Sequence, residues 1–346
     1  MRVEEPAWWY RQPGSPIARL LAPLGHLYGM AASARMRRPA SHVSALPVIC
    51  IGNVTAGGTG KSPMSHWVCR HLIAAGRRPV VLSRGYGGRL SGPHLVDPRN
   101  DRALDVGDEP LLAAAVAPVV VARDRGAGAA MIARDRIGDV IVMDDGLQSP
   151  ALAKSLTIAM VDARRAFGNG HVIPAGPLRA PLSHQVRRID AVVINHGARA
   201  SEGATERLSR ILRDAGFSGS LMEATVAPSG DIGWLQGQRV LAFAGIAAPE
   251  RFAATLTDLG ADVADLISFP DHHAFSDADA VRLLDMAQRR SALLVTTEKD
   301  HVRLASSGPQ AELARLARVL PIRLELTAPG SARLGELLDA VRPAGT

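Results

Sequence analysis

Lys61 and Ser62 end the stretch Thr55-Ala56-Gly57-Gly58-Thr59-Gly60, which itself follows the apolar run at 48–51. Residues of these types in this order make a phosphate-binding loop. Glycines let successive backbone N–H groups converge on phosphate oxygens, the lysine reaches the outer phosphates, and the hydroxyl faces Mg²⁺. The segment departs from the general G-x-x-x-x-G-K-[ST] pattern at one position, where Thr55 stands for the first glycine. The next residues agree with a loop that opens a helix: Pro63 suits a first helical turn, and Met64, Trp67, Val68 and Leu72 give one apolar helix face before Gly76. A glycine-rich turn with a surface lysine has no reason to combine strand, loop and helix. Thr55, Ala56, Gly57, Gly58, Thr59, Gly60, Lys61 and Ser62 are therefore the candidate nucleotide contacts.

Acidic residues form a second group. Asp144 and Asp145 close the apolar run at 140–143, and parallel sheets place ligands at the carboxyl ends of their strands. With Ser62 they are candidate Mg²⁺ ligands; the plainer alternative is a polar turn with solvated acids. Asp108 and Glu109 precede a helix-like stretch, and by spacing alone they read as acids that stabilise a helix start. His272 and His273 lie in Phe-Pro-Asp-His-His at 269–273, with no further histidine or cysteine at zinc spacing, which favours proton handling over a structural metal. Lys299, after the apolar run at 292–296, reads equally as a phosphate contact or as half of a structural salt bridge within its own turn. Loops carrying arginines complete the set, because guanidinium forks grip phosphate in two-pronged fashion. From them come the candidate substrate contacts Arg84, Tyr86, Arg123 and Arg179, to which Gln148 is added.

These residues need a scaffold. The 346 residues suit about two domains. From Pro47 the chain alternates β-branched runs at 48–51, 80–82, 119–122, 140–143, 156–161 and 191–194 with helical stretches, which implies a parallel sheet covered on both faces. A fresh series at 240–243, 261–267, 292–296 and 322–326 implies a smaller α/β unit. The expected fold is α/β: a P-loop NTPase-like parallel sheet with helices on both faces, plus a second, smaller α/β domain. The expected limits are 1–38 for an N-terminal segment, 39–225 for the first domain and 226–346 for the second.

The N-terminal segment carries Trp8, Trp9 and Tyr10, then Ile17, Leu20, Leu21, Leu24, Leu27, Tyr28 and Ala31 at helical spacing, with Arg11, Arg19, Arg35, Arg37 and Arg38 nearby. No stretch is long and pure enough to span a bilayer. The pattern suits an interfacial helix and equally a helix packed on its own domain. The net charge of +7 favours anionic partners. Nucleic acid is set aside, since no recognised module is present and aromatics are only 4% of the chain, too few for a stacking platform. Cys50 and Cys69 make no disulfide framework, which fits a reducing compartment and not secretion.

Taken in order, Gly-Asn-Val-Thr-Ala-Gly-Gly-Thr-Gly-Lys-Ser-Pro at 52–63, Ser-Arg-Gly-Tyr-Gly at 83–87, Val-Gly-Asp-Glu-Pro at 106–110, Asp-Asp-Gly-Leu-Gln at 144–148, Gly-Pro-Leu-Arg at 176–179, Phe-Pro-Asp-His-His at 269–273 and Thr-Thr-Glu-Lys-Asp at 296–300 resemble the tetraacyldisaccharide 4'-kinase family of lipid A biosynthesis. The resemblance runs from about Trp8 to Leu304. It implies a peripheral enzyme on the cytoplasmic face of the inner membrane that moves the γ-phosphate of ATP to the 4'-hydroxyl of a tetraacylated disaccharide 1-phosphate, with no obligate protein partner. It assigns Lys61 and Ser62 to ATP and Mg²⁺, and Asp144 and Asp145 to the metal region. It also makes Asp108 part of a catalytic pair with a histidine of the Pro-Asp-His-His motif: His272, which directly follows Asp271, is favoured, with His273 as the alternative. Ser62 stands where the family's threonine is expected and keeps the hydroxyl. The rival functions are a P-loop ATPase or GTPase, for which Asn195 lacks a following Lys-x-Asp, and a membrane-bound nucleotide-sensing scaffold.

Overall fold

The computed structural model describes residues 5–10, 15–198 and 202–342. The strands are β1 (Val48–Asn53), β2 (Pro79–Ser83), β3 (His94–Leu95), β4 (Val119–Val121), β5 (Val140–Asp144), β6 (Leu156–Asp162), β7 (Ala191–Asn195), β8 (Ser220–Pro228), β9 (Arg239–Ala244), β10 (Asp262–Ser268), β11 (Leu293–Thr297), β12 (Arg318–Leu320) and β13 (Ile322–Leu326). Nine form one sheet in the order β13-β8-β7-β6-β1-β5-β2-β4-β3, and four form a second in the order β10-β9-β11-β12. The large sheet is parallel from β8 to β4, with β13 and β3 antiparallel at its two edges.

The near-continuous apolar strands are buried on both faces, as a doubly covered sheet requires. Along β1 the pleat sends Ile49 and Ile51 to one face, where they meet Met64, Val68 and Leu72, and Val48 and Cys50 to the other, against Ile132 and Leu152. Helix α1 (Pro16–Arg37) precedes the sheet and helix α2 (Lys61–Ala74) comes directly after β1 and its loop. β1 lies between β5 and β6, so the turn from β1 into α2 and the end of β5 open side by side at one sheet edge, where open α/β sheets bind ligands.

The run at 322–326 belongs with the large sheet and not with the smaller unit. β13 pairs antiparallel with β8, Leu324 with Val226, and Leu324 joins the core beneath α2. Its alternation Ile-Arg-Leu-Glu-Leu is that of a half-buried antiparallel strand, not of a doubly covered parallel one. β8 also runs through the expected limit at 225, so the small sheet is an insertion between two neighbouring strands of the large one.

The N-terminal segment is described at 5–10 and from 15 onward; residues 1–4 and 11–14 of it lie outside the described residues. α1 packs inward through small side chains, with Ala18, Gly25, Gly29 and Ser33 buried along with Met36. Ile17, Leu20, Leu24, Leu27, Tyr28 and Met30 face outward, Leu20 with 79% of its surface open. The packed face is the one the second reading expects, and the opposite face carries exposed apolar side chains. Trp9, counted in the interfacial pattern, is buried instead: its indole N–H donates to the Pro174 carbonyl at 3.1 Å, and its carbonyl accepts from Asn169 N–H. No helix among the described residues is long and apolar enough to cross a membrane.

Candidate active site

The phosphate loop is shaped from beneath and from both sides. Gly57 and Gly60 both adopt φ of +96°, a left-handed conformation that side chains disfavour. Below the loop, Asn195 at the end of β7 donates to the Thr59 carbonyl at 3.1 Å and fills the space where a Cβ on Gly60 would sit. Asn195 thus supports the loop from beneath. Asn53 Nδ2 donates to the Gly57 carbonyl at 3.0 Å. To one side, Arg179 Nε donates to the Thr55 carbonyl at 3.1 Å, and the fully buried Gln185 donates to the carbonyls of Val54 and Ala180. Gln148 links this brace together, donating to the Asn53 carbonyl and to Gln185 Oε1. Gln148 and Arg179 are thus engaged with the loop itself.

The two aspartates after β5 have different surroundings. Asp145, at φ +49°, accepts from Arg179 Nη1 at 2.8 Å and lies 3.9 Å from Lys61 Nζ. Burial pushes its carboxyl up, but the Lys61 and Arg179 charges outweigh it and hold the group below the usual range. Asp144 is half-buried, and its Oδ1, itself shut off from solvent, has no hydrogen-bond partner among the described residues. Burial first, then the Glu109 charge, push Asp144 up to about 7. An unpartnered carboxylate oxygen beside Ser62 and Glu109, which line the same small cavity, fits a hard cation. Among the described residues no group of three or more His, Cys, Asp or Glu side chains could hold a metal, so these residues suit Mg²⁺ carried largely by phosphate and water oxygens.

Asp108 and Glu109 are not ordinary helix-start acids. The helix Asp108–Ala114 begins at them, but both side chains reach to the small sheet. Asp108 Oδ2 meets His272 Nδ1 at 2.8 Å and Arg303 Nε at 3.0 Å. Burial raises the Asp108 carboxyl, yet the hydrogen bond from His272 and the Arg303 guanidinium hold it well below the usual carboxylate range. Glu109 accepts from Ser62 Oγ at 3.3 Å and pairs with Lys299 Nζ at 3.5 Å. Lys299 is in a salt bridge, but not the one within its own turn that the sequence suggests: its partner Glu109 lies on the large sheet's side, so the pair crosses from one sheet to the other.

His272, at φ +59°, is the histidine that the structure brings to Asp108. His273 instead stacks on Phe269, ring centres 4.6 Å apart, and lies 3.1 Å from Asp279. Arg84 and Tyr86 lie exposed beyond β2. Arg123 is exposed as well, and the residue of its loop that turns inward is Arg125, whose guanidinium donates to the backbone carbonyls of Leu82 and Asp144. Arg123 follows β4 with its side chain in solvent, whereas Arg125 starts the next helix, which packs against β2 and β4, and is itself buried.

Three participants escape sequence reasoning. Glu5 rests its carboxylate against Gly57, where a Cβ would fall 1.8 Å from Oε1, and its Oε2 is held by Tyr10 OH at 2.7 Å and Arg165 at 2.8 Å. Gln185 and Arg303 are the others. None of the three belongs to a spaced motif. The one available signal is that Arg303 falls one helical turn after Asp300.

A family model described as tetraacyldisaccharide-1-P 4'-kinase matches residues 17–341. A tetraacyldisaccharide 4'-kinase of Rhodopseudomonas palustris (strain BisB18) is 48% identical over 324 residues, covering 93% of this chain and 92% of the relative. The chain belongs to the tetraacyldisaccharide-1-P 4'-kinase family. Another tetraacyldisaccharide 4'-kinase, from Methylorubrum extorquens, is 45% identical over 342 residues, 99% of each chain. Among solved structures, the crystal structure of LpxK from Aquifex aeolicus in complex with ATP superposes with a TM-score of 0.73 at 23% identity, over 93% of this chain and 98% of that one. The fold of the tetraacyldisaccharide-1-P 4'-kinase family is thus this arrangement of a large and a small sheet, and the α/β fold expected from sequence is the one observed.

Proposed function

We propose that this chain is an ATP-dependent kinase that phosphorylates the 4'-hydroxyl of a tetraacyldisaccharide 1-phosphate, working as a peripheral protein on the cytoplasmic face of the inner membrane. The observation that carries the reading is the convergence of Asp108 and His272, from different sheets, beside a braced phosphate loop. Phosphoryl transfer needs positioning and charge stabilisation more than covalent chemistry. The amides of 55–62 and Lys61 bind the phosphate tail of ATP. When Mg²⁺ is bound, Ser62 Oγ and Asp144 Oδ1 are the side chains to hold it, and the ion offsets charge on the phosphate oxygens. Asp145 keeps Lys61 and Arg179 aimed at the loop. Asp108 accepts the proton of the acceptor hydroxyl, and His272 holds that carboxylate in place.

A cavity of about 1180 Å³ between α1 and the segment at 164–184 supports the choice of acceptor. Its lining joins apolar residues such as Met30, Phe167 and Leu178 to the cations Arg37, Arg165 and Arg207, a mixture suited to an acylated sugar phosphate. It abuts the loop, since Leu178 bridges to Thr55, and Arg165 holds the Glu5 carboxylate that touches Gly57. The outward apolar face of α1 beside it supports shallow insertion in a lipid surface.

The test is incubation of the purified chain with ATP, Mg²⁺ and the disaccharide lipid, read by mass spectrometry for one added phosphate. ATP consumption without a phosphorylated lipid would overturn the kinase reading in favour of an ATPase. Vesicle flotation of the full chain and of a Leu20→Glu, Leu24→Glu, Leu27→Glu variant tests the membrane reading, which equal recovery of the two would sink.

A further inference from the structure

Arg303 is only 4% exposed and lies just beyond the turn after β11. Its Nη1 donates to Asp300 Oδ1 and to the Gly245 carbonyl, both at 2.8 Å, while Nε and Nη2 both donate to Asp108 Oδ2. Asp300 is itself fixed by the Gly245 N–H at 3.0 Å and the Thr297 hydroxyl at 2.7 Å. The guanidinium is thus seated on rigid parts of the small sheet and grips a carboxylate that starts a helix of the large sheet's domain.

The two oxygens of Asp108 differ in consequence. Oδ2 takes Nε and Nη2 of Arg303 and, because an ionised carboxylate has no proton to give, the Nδ1–H of His272. That leaves it no room for another donor. Among the described residues Oδ1 accepts only the Glu109 N–H, at 3.0 Å, which leaves it a lone pair.

We propose that Arg303 is a positioning residue for phosphoryl transfer: by saturating Oδ2 it orients Asp108 so that Oδ1 receives the acceptor hydroxyl, and it ties the base to the docked small sheet. The inference rests on the kinase reading above. In the step it serves, the acceptor oxygen bonds to the γ-phosphorus as the bond from that phosphorus to the bridging oxygen breaks and ADP leaves, and the hydroxyl proton passes to Oδ1. A lysine could keep the charge, but a single ammonium cannot span Asp108, Asp300 and the Gly245 carbonyl as the planar fork does.

The test compares the full-length wild type with Arg303→Lys, Arg303→Ala and Asp108→Ala. A base displaced by about 1 Å lowers turnover by about a hundredfold, so both Arg303 variants should lose kcat on that scale while KM for ATP and binding of a fluorescent ATP analogue stay near wild type. Guanidinium at millimolar concentration should restore part of the kcat of Arg303→Ala and none of that of Asp108→Ala. Unchanged kcat overturns the proposal. So does a loss of kcat that comes with weakened nucleotide binding and a lowered melting temperature in both variants and is not rescued, which would make Arg303 a structural residue. Absence of lipid phosphorylation by the wild type would strike the kinase reading instead, leaving the variants without a reaction to compare.

Discussion

The phosphate loop and the Asp108 junction lie close together but are assembled differently. The loop draws its order from within the large sheet and the connections around it: Asn195 below, Asn53 at its root, Gln185, Gln148 and Arg179 at its side. The junction draws its order from two sheets at once, with Asp108 on the large sheet's side and His272, Arg303 and Lys299 on the other. The first is preformed wherever the large sheet is folded; the second exists only while the small sheet is docked. On the function proposed above, nucleotide binding and catalysis should therefore be separable by mutation, with the inserted small sheet as the component whose docking completes the catalytic group.

Lys61→Ala should give the largest effect, because it removes the cation at the end of the phosphate loop, which is paired with Asp145 and placed to meet the phosphate tail. Turnover falls by about a thousandfold, and nucleotide affinity falls with it, as read by steady-state kinetics beside titration of a fluorescent ATP analogue. Asp108→Ala sharpens the comparison: turnover falls by about a hundredfold or more, yet the analogue binds as before. Equal loss of binding and turnover in that variant would mean that the two regions are one unit.

Gly57→Ala attacks the loop alone. A methyl there meets the Glu5 carboxylate and forces an alanine to φ +96°, a strain of about 1–3 kcal/mol. Nucleotide affinity should drop by roughly tenfold for 1.4 kcal/mol of it, whereas Glu5→Ala in the same chain relieves the collision but not the backbone strain, so recovery is partial. Full recovery in titration calorimetry would show that the backbone tolerates alanine and that only Glu5 matters.

Acid acts on both regions, because Asp145 at the loop is held low as well, and comparison with an Asp108 variant isolates the junction's share. Asp108 is held below its ordinary carboxylate value by His272 and Arg303, so its share of stability is whole above the unfolded pKa of about 3.9 and is lost as pH falls below it. Urea unfolding of wild type and Asp108→Asn should thus differ by a constant amount from about pH 7 to about pH 5 and converge towards lower pH; parallel curves throughout would contradict the ionised assignment. The smallest effect belongs to Lys299→Ala, since its pair with Glu109 is 3.5 Å long and over a third exposed on the lysine side. Stability should change by less than about 1 kcal/mol, and a loss of several times that in thermal melts would place the docking of the sheets on this surface pair instead of on Arg303.

Much of the loop is legible in the sequence because its chemistry is contiguous. A strand, glycines, Lys61, Ser62 and a helix come one after another, and each constrains the next through local backbone geometry. The apolar runs likewise declare a doubly covered sheet through burial alone. The run at 322–326 is assigned to the wrong sheet from sequence because an alternating strand states which face is buried and not which neighbour it pairs with. The role of Asp108 is invisible from its spacing, since an acid at a helix start has the same local pattern whether it caps the helix or reaches across a cleft.

The sequence by itself determined the phosphate loop, the carboxylates at the strand end, the two-unit α/β organisation and the family, all of which depend on neighbours along the chain or on ordered motifs. Only the tertiary structure decided which histidine meets Asp108, that Arg303 grips it, that Asp144 and not Asp145 keeps a bare oxygen, and that α1 turns its large apolar side chains outward. Each of those is a contact between residues tens to hundreds of positions apart, or a choice of face set by what lies opposite. Local propensity carries no term for either.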